Sequence, residues 1–331
     1  MTVLAPAAAR LDLDPVVEGA RRNSWTLGLL GLLALLLLFT KLIQPNYGAI
    51  AIQGLGISVL PLAFAAVAQA VVVIGGGLDL SIGSMMALTS VVAATMMQGQ
   101  SDAFGLVVVL GVLLLGIGLG AINGALVVVT RVPDIIVTLA TLYVWAGFAL
   151  LVRAAPGGAA SPWLMNLALG SLGSEWIPKA AVVLIVVVAV IWIPVARSRQ
   201  GVSLYAVGSN QLAAFRSGVS IARTKLFSYA LAGLFGAVAG LSLTATTGIG
   251  TPVPGPYTLM SVAAVVLGGV SLAGGRGGVF GPIIAVIVLQ IIQTDTTFIG
   301  LDPNYALVVQ GVILVGVLIL GSYLETRRAA R

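Results

Sequence analysis

Apolar runs of about 18 residues or more recur along this chain, each long enough to cross the ~30 Å hydrocarbon core of a bilayer. In lipid every backbone N–H and C=O must find a partner within the protein, which leaves helices or a closed barrel. Stretches such as 27–38 are continuously apolar rather than alternating, and this selects helices. Composition agrees: only 8% of the 331 residues are charged, against about a quarter in soluble domains. The expected fold is an all-α integral membrane protein.

We read about ten transmembrane helices, at 25–43, 49–74, 84–98, 105–129, 135–152, 179–196, 226–247, 259–273, 279–294 and 305–321. Residues 1–24 form a polar tail carrying Asp12, Asp14, Glu18, Arg21 and Arg22, and 322–331 form a second tail. The apolar run after Arg22 is long and lacks a small-residue cleavage site, which argues against a removable signal peptide. With ten spans and both termini cytoplasmic, thirteen of the sixteen Lys and Arg residues fall on the cytoplasmic side. That is the bias expected of helical membrane proteins. It also accounts for the basic pI near 10 without nucleic acid. The outside keeps Lys41, Arg153 and Lys179, with Asp102, Glu175, Asp295 and Asp302.

The longest external segment is 153–178, broken by Pro156, Gly157, Gly158, Pro162 and Pro178. Trp163 and Trp176 suit the membrane–water interface, and 163–169 is a short amphipathic stretch. The longest cytoplasmic segment, 197–225, holds five cations and no anion. Within it Ser209 or Asn210 is an N-cap candidate and Gly218 a C-terminal stop, which predicts a two-turn helix over 211–217 with small residues Ala213 and Ala214 on its surface.

The chain has no His and no Cys, which removes the usual zinc and thiol sites and the commonest general base. It has no Gly-Lys pair and so no Walker A phosphate loop. Polar groups inside the apolar regions are therefore the functional candidates. Gly75-Gly76-Gly77 ends a helix, and Asp79 and Ser81 follow between apolar flanks. Two roles compete for them: capping the helix that begins near Ser84, or facing a solute path. Asn123, among Gly120, Gly124 and Ala125, suits close helix packing with a cross-helix hydrogen bond. Pro133 and Asp134 suit a helix N-terminus. Thr138 and Thr141, three apart on one face, either line a polar path or bond back to their own helix. Gln69 completes the path candidates. Val72-Val73-Ile74-Gly75-Gly76 is repeated as Val265-Val266-Leu267-Gly268-Gly269, and both breaks fall on the same side.

The segment Tyr205-Ala206-Val207-Gly208-Ser209-Asn210-Gln211-Leu212-Ala213-Ala214-Phe215-Arg216-Ser217-Gly218 resembles the coupling-loop signature of bacterial ABC-importer permeases of the ribose, xylose and autoinducer-2 group. Residues 76–84 resemble that family's Gly-Gly-x-Asp-Leu-Ser-x-Gly-Ser segment. Asn123-Gly124 with 132–139, and 264–278, resemble its further motifs in the same order. The segment 154–162, with Pro156-Gly157-Gly158, departs from the family's usual pattern. The resemblance implies a transport subunit of the bacterial inner membrane with no cofactor of its own, importing a sugar or sugar-like solute by alternating access. It implies a second permease chain, identical or paralogous, and an external solute-binding protein. It also implies a cytoplasmic ATPase, holding ATP and Mg, that docks near Gly208, Ser209, Asn210, Gln211, Ala213, Ala214, Phe215, Ser217 and Gly218. The alternatives are a branched-chain amino acid permease of the same kind and an ion-coupled secondary transporter, for which Asp79 is the only obvious intramembrane charge.

Overall fold

The structure, a computed structural model, describes residues 24–302 other than 254, together with 305, 308, 309, 311, 312, 315 and 316. In chain order the helices are α1 (Ser24–Ile43), α2 (Ala49–Ile74), α3 (Ile82–Met97), α4 (Asp102–Thr130), α5 (Asp134–Val152) and α6 (Pro162–Ala168). A small hairpin, β1 (Ser171–Leu172) and β2 (Ser174–Pro178), follows. Then come α7 (Lys179–Arg197), α8 (Arg199–Ser209), α9 (Gln211–Arg216), α10 (Ile221–Thr247), α11 (Tyr257–Leu267) and α12 (Phe280–Phe298).

Seven of these helices are long and apolar enough to cross a membrane: α1, α2, α4, α5, α7, α10 and α12. α3 and α11 are shorter apolar helices. The tenth expected span, 305–321, lies mostly outside the described residues, as do both expected tails; the described residues from 305 onward are helical.

Two helices form the core. Every residue of α2 from 59 to 74 is buried. α10 lies against α2, α3 and α4. Its seam with α4 is made of glycine: a Cβ on Gly120 would strike the Tyr229 carbonyl, and one on Gly233 would strike that of Gly116. The four-residue spacing of Gly116, Gly120 and Gly124 puts all three on one face, so the backbones approach as side chains would forbid. The small residues around Asn123 thus do serve close packing.

The connections gather at two ends. At one, the Gly275 N–H donates to the Ile74 carbonyl (2.9 Å), and the Tyr205 hydroxyl donates to the Gly277 carbonyl (2.9 Å). At the other, Gly157 and Gly250 exchange backbone hydrogen bonds (3.0 and 2.8 Å), Ala159 N–H reaches Ala94 O (3.0 Å), and the Lys179 ammonium donates to Asn166 (2.6 Å). The loop that follows the second Val-Val-x-Gly-Gly segment reaches the first such segment at the first end, where a Cβ on Gly274 would lie 2.8 Å from the Gly76 Cα.

Three expectations need correction. α11 stops at Leu267, not at 273, because Gly269 adopts a left-handed φ of +79° and turns the chain out of the helix. α12 runs to Phe298, so Asp295 is not an external loop residue: it sits inside the helix at 5% exposure. The hydroxyls of Thr294, Thr296 and Thr297 are absorbed by carbonyls four residues back, which lets a polar stretch remain helical. Finally, the stretch before the expected coupling helix is itself helical, α8, despite Gly201 and Gly208. Both glycines are buried, and a side chain on either would strike backbone of α7 or α2, so tertiary packing outweighs their low helix propensity.

Candidate functional site

α2 ends in a Schellman cap: Gly76 N–H donates to Val73 O (2.9 Å) and Gly77 N–H to Val72 O (3.0 Å), with Gly76 at φ +75°. The chain then crosses to α3 through Leu78, Asp79 and Ser81, a short buried bridge. Asp79 Oδ1 accepts from the Ser81 N–H (2.8 Å) and the Ser81 hydroxyl (2.7 Å). The Asn123 amide donates to Ser81 Oγ (2.7 Å) and, at longer range, to Asp79 Oδ2 (3.4 Å). The Trp145 indole N–H donates to Asn123 Oδ1 (3.3 Å). Asp79, Ser81 and Asn123 are fully buried.

This is a closed network of donors around a carboxylate. A hydrogen bond contributes about 0.5–1.5 kcal/mol net, and leaving a buried partner unsatisfied costs about 1–3 kcal/mol. It ties the bridge between α2 and α3 to α4 through Asn123 and to α5 through Trp145. Asp79 closes a turn on the Ser81 N–H just ahead of α3, while neither side chain caps the helix itself; Ser81 is the N-cap position without a side-chain cap bond. Trp145 was not legible as a member, since an indole on an apolar helix carries no polar pattern.

Thr138 and Thr141 bond back to their own helix. Thr138 donates to Asp134 O (2.9 Å), with Leu78 O at 3.2 Å as a second acceptor, and Thr141 reaches Thr138 O (3.3 Å). The Tyr229 hydroxyl also approaches Leu78 O (3.4 Å). Gln69 stands apart: it is fully buried in α2, and neither its amide nitrogen nor its oxygen has a partner among the described residues. Of the six path candidates, three share one network, two border it, and Gln69 alone keeps its hydrogen-bonding capacity unspent.

Beside this network lies a pair that the sequence reading divided between a helix cap and a topology signal. Lys225 Nζ donates to both Asp134 oxygens, at 2.9 and 3.0 Å. Both side chains are largely withdrawn from solvent. Asp134 Oδ2 lies against Gly77, only 2.5 Å from where a Cβ would stand.

The expected coupling helix is present as α9. Asn210 Oδ1 accepts from the Ala213 N–H (2.9 Å), so Asn210, not Ser209, is the cap. Gly218, at φ +83°, ends the helix in a second Schellman cap: its N–H donates to Phe215 O (3.0 Å), and that of Val219 to Ala214 O (3.0 Å). Gln211, Ala213, Phe215 and Ser217 are exposed. Ala214 is not: at 5% exposure it faces its own chain, and the outward apolar groups are Leu212 and Phe215. Gly208 is likewise internal. A Cβ there would strike the Ile74 carbonyl, so this glycine seats α8 on the end of α2. Ser209 donates to Gly275 O at 3.4 Å in the same contact, and burial pushes the neighbouring Tyr205 phenol above its ordinary range, keeping it a donor to Gly277 O.

A bundle of apolar helices long enough to cross a membrane, with a capped two-turn helix exposed at one end, defines a multi-pass integral membrane protein. No solved structure matches the chain. The family described as branched-chain amino acid transport system / permease component matches residues 51–318, and the chain belongs to it. The ribose import permease protein RbsC of Bacillus subtilis (strain 168) is 34% identical over 253 residues, 75% of this chain and 77% of that protein. RbsC of Escherichia coli (strain K12) is 31% identical over 313 residues, covering 90% and 95%. The galactose/methyl galactoside import permease protein MglC of Salmonella typhimurium is 32% identical over 269 residues, covering 76% and 80%. The chain is a transport component, not an enzyme.

Proposed function

We propose that the chain is the permease subunit of an ATP-driven importer of a sugar or sugar-like solute. The observation that carries the reading is α9, whose residues are all exposed but Ala214, with Leu212 and Phe215 presented outward at the end where α2, α8 and α10 meet. Sugar permeases among the relatives favour a carbohydrate over a branched-chain amino acid. So does the commitment of Asp79 to its own network, which leaves it unavailable to the ammonium of a zwitterion.

The chain would cross the bacterial inner membrane ten times with both termini in the cytoplasm, and pair with a second permease chain. α9 would receive a cytoplasmic ATPase that holds ATP and Mg. The opposite end, with α6, the β1–β2 hairpin and the Gly157–Gly250 bridge, would receive an external solute-binding protein. Gln69 is the residue of α2 with hydrogen bonds to offer a passing hydroxyl.

The test is uptake into proteoliposomes carrying this chain with its ATPase and binding protein. Labelled ribose, galactose, allose and leucine are offered with and without ATP. ATP-dependent accumulation of a sugar is expected. Preference for leucine, or uptake driven by an ion gradient without ATP, overturns the reading.

A further inference from the structure

We infer that the Asp134–Lys225 ion pair is the latch through which movement of α9 reaches the buried Asp79 network; this rests on the importer reading above. Four observations carry it. First, the pair joins helices that hardly pack on each other otherwise: α5 lies chiefly on α3, while α10 lies on α2, α3 and α4. Second, both side chains are mostly withdrawn from solvent, at 16% and 14% exposure, so the pair is not the freely solvated kind that contributes little.

Third, Lys225 stands in the second turn of α10, and only residues 217–220 separate α10 from α9. That link is stiff. The turn after α9 is closed by the Val219 N–H on Ala214 O (3.0 Å), and Ser220 accepts from the Arg223 N–H (3.4 Å) at the start of α10. Fourth, the far side of the pair ends on the glycine break: Asp134 Oδ2 faces Gly77, where no side chain fits, two residues before Asp79. Asp134 Oδ1 and Oδ2 both receive the ammonium, so a shift of α10's first turns draws the carboxylate with it. Lys225 and Asp134 are therefore positioning residues: they touch neither ATP nor solute, and they set where the α2–α3 bridge sits when α9 moves.

The test uses the assembled importer in proteoliposomes and measures solute taken up per ATP hydrolysed. The variants are Asp134→Asn, Lys225→Met and the exchange Asp134→Lys with Lys225→Asp, each checked for retention of the ATPase and for thermal unfolding. Each single variant is expected to keep the ATPase and its hydrolysis while uptake per ATP falls at least about fivefold, the low end of coupling between sites. The exchange is expected to restore most of that loss, because a double-mutant cycle isolates the pair. Two results overturn the latch: single variants with the unmodified ratio, or single variants that lose stability, hydrolysis and uptake together without rescue by the exchange. Failure of the unmodified importer to couple uptake to ATP would instead overturn the importer reading and leave its mark in every sample alike.

Discussion

The breaks after α2 and after α11 begin alike and end differently. The two caps are bond-for-bond equivalents: Gly77 N–H to Val72 O and Gly76 N–H to Val73 O in one, Val270 N–H to Val265 O and Gly269 N–H to Val266 O in the other. The left-handed glycines stand at φ +75° and +79°. After α2 the chain enters a bridge held by side-chain hydrogen bonds, through Asp79, Ser81 and Asn123. After α11 it enters a glycine-rich loop held by backbone contact with α8 and covered by Trp25, whose indole N–H donates to Leu267 O (2.8 Å). The same cap thus serves two ends: one break carries the polar groups, and the other forms the seat on which α8 rests. A repeated sequence signature can mark a repeated local solution without a repeated role.

The largest effect is expected where α8 is wedged between the end of α2 and the loop after α11. Gly208→Val would drive a side chain into the Ile74 carbonyl and the Gly275 N–H. Overpacking of this kind costs about 1–3 kcal/mol or more, so a large fall in melting temperature in detergent is expected; an unchanged melt would dissolve the contact. Next come Gly269→Ala and Gly76→Ala, each carrying about 1–2 kcal/mol of left-handed strain. At Gly269 the added methyl also strikes the Trp25 ring, and Trp25→Ala should return part of the loss. At Gly76 the obstacle is the Gly208 backbone, 3.2 Å away, and truncating Trp25 should return nothing. Equal rescue at both glycines would erase the distinction.

Asn123→Leu leaves Asp79 and Ser81 short of a donor and Trp145 short of an acceptor, and should cost about 1–3 kcal/mol. Asp79→Asn should lower uptake more than assembly, because it alters the bridge and not the helix seams; full uptake would reduce the network to scaffolding. The smallest effect on stability is expected for Leu212→Asp with Phe215→Asp. Exposed changes usually stay within about 0.5 kcal/mol, yet capture of the ATPase should be lost. Normal capture would remove α9 as the docking element.

The helices were legible where burial and hydrocarbon ask for the same residues: α2 was expected at 49–74 and is found there. Legibility failed where a local rule lost to a distant contact. α8 carries two glycines, and the reason one of them is there lies at Ile74 and Gly275, far away in sequence. Asp295 follows Thr294 in a polar stretch that reads as a loop, until the threonine hydroxyls are seen to turn inward on their own helix. For the site, Asp79, Ser81 and Asn123 were each visible as polar residues in apolar surroundings. Their joining was not, because no period relates positions 79 and 123, and scarcity of charge does not say that Asp134 and Lys225 are the two that meet.

The burial of α2 has a consequence for how the chain is made. Its principal cover, α10, begins about 150 residues after α2 ends. At a synthesis rate of about 5–20 residues per second, α2 waits roughly 7–30 s in the bilayer before that cover arrives. Lipid must stand in for protein during that interval, so a stretch that ends up buried at every residue from 59 to 74 has to be acceptable to it. The near-uniform apolar surface of α2 is thus written for its nascent surroundings as much as for its final ones, and Gln69 is the one side chain in its second half that lipid cannot satisfy.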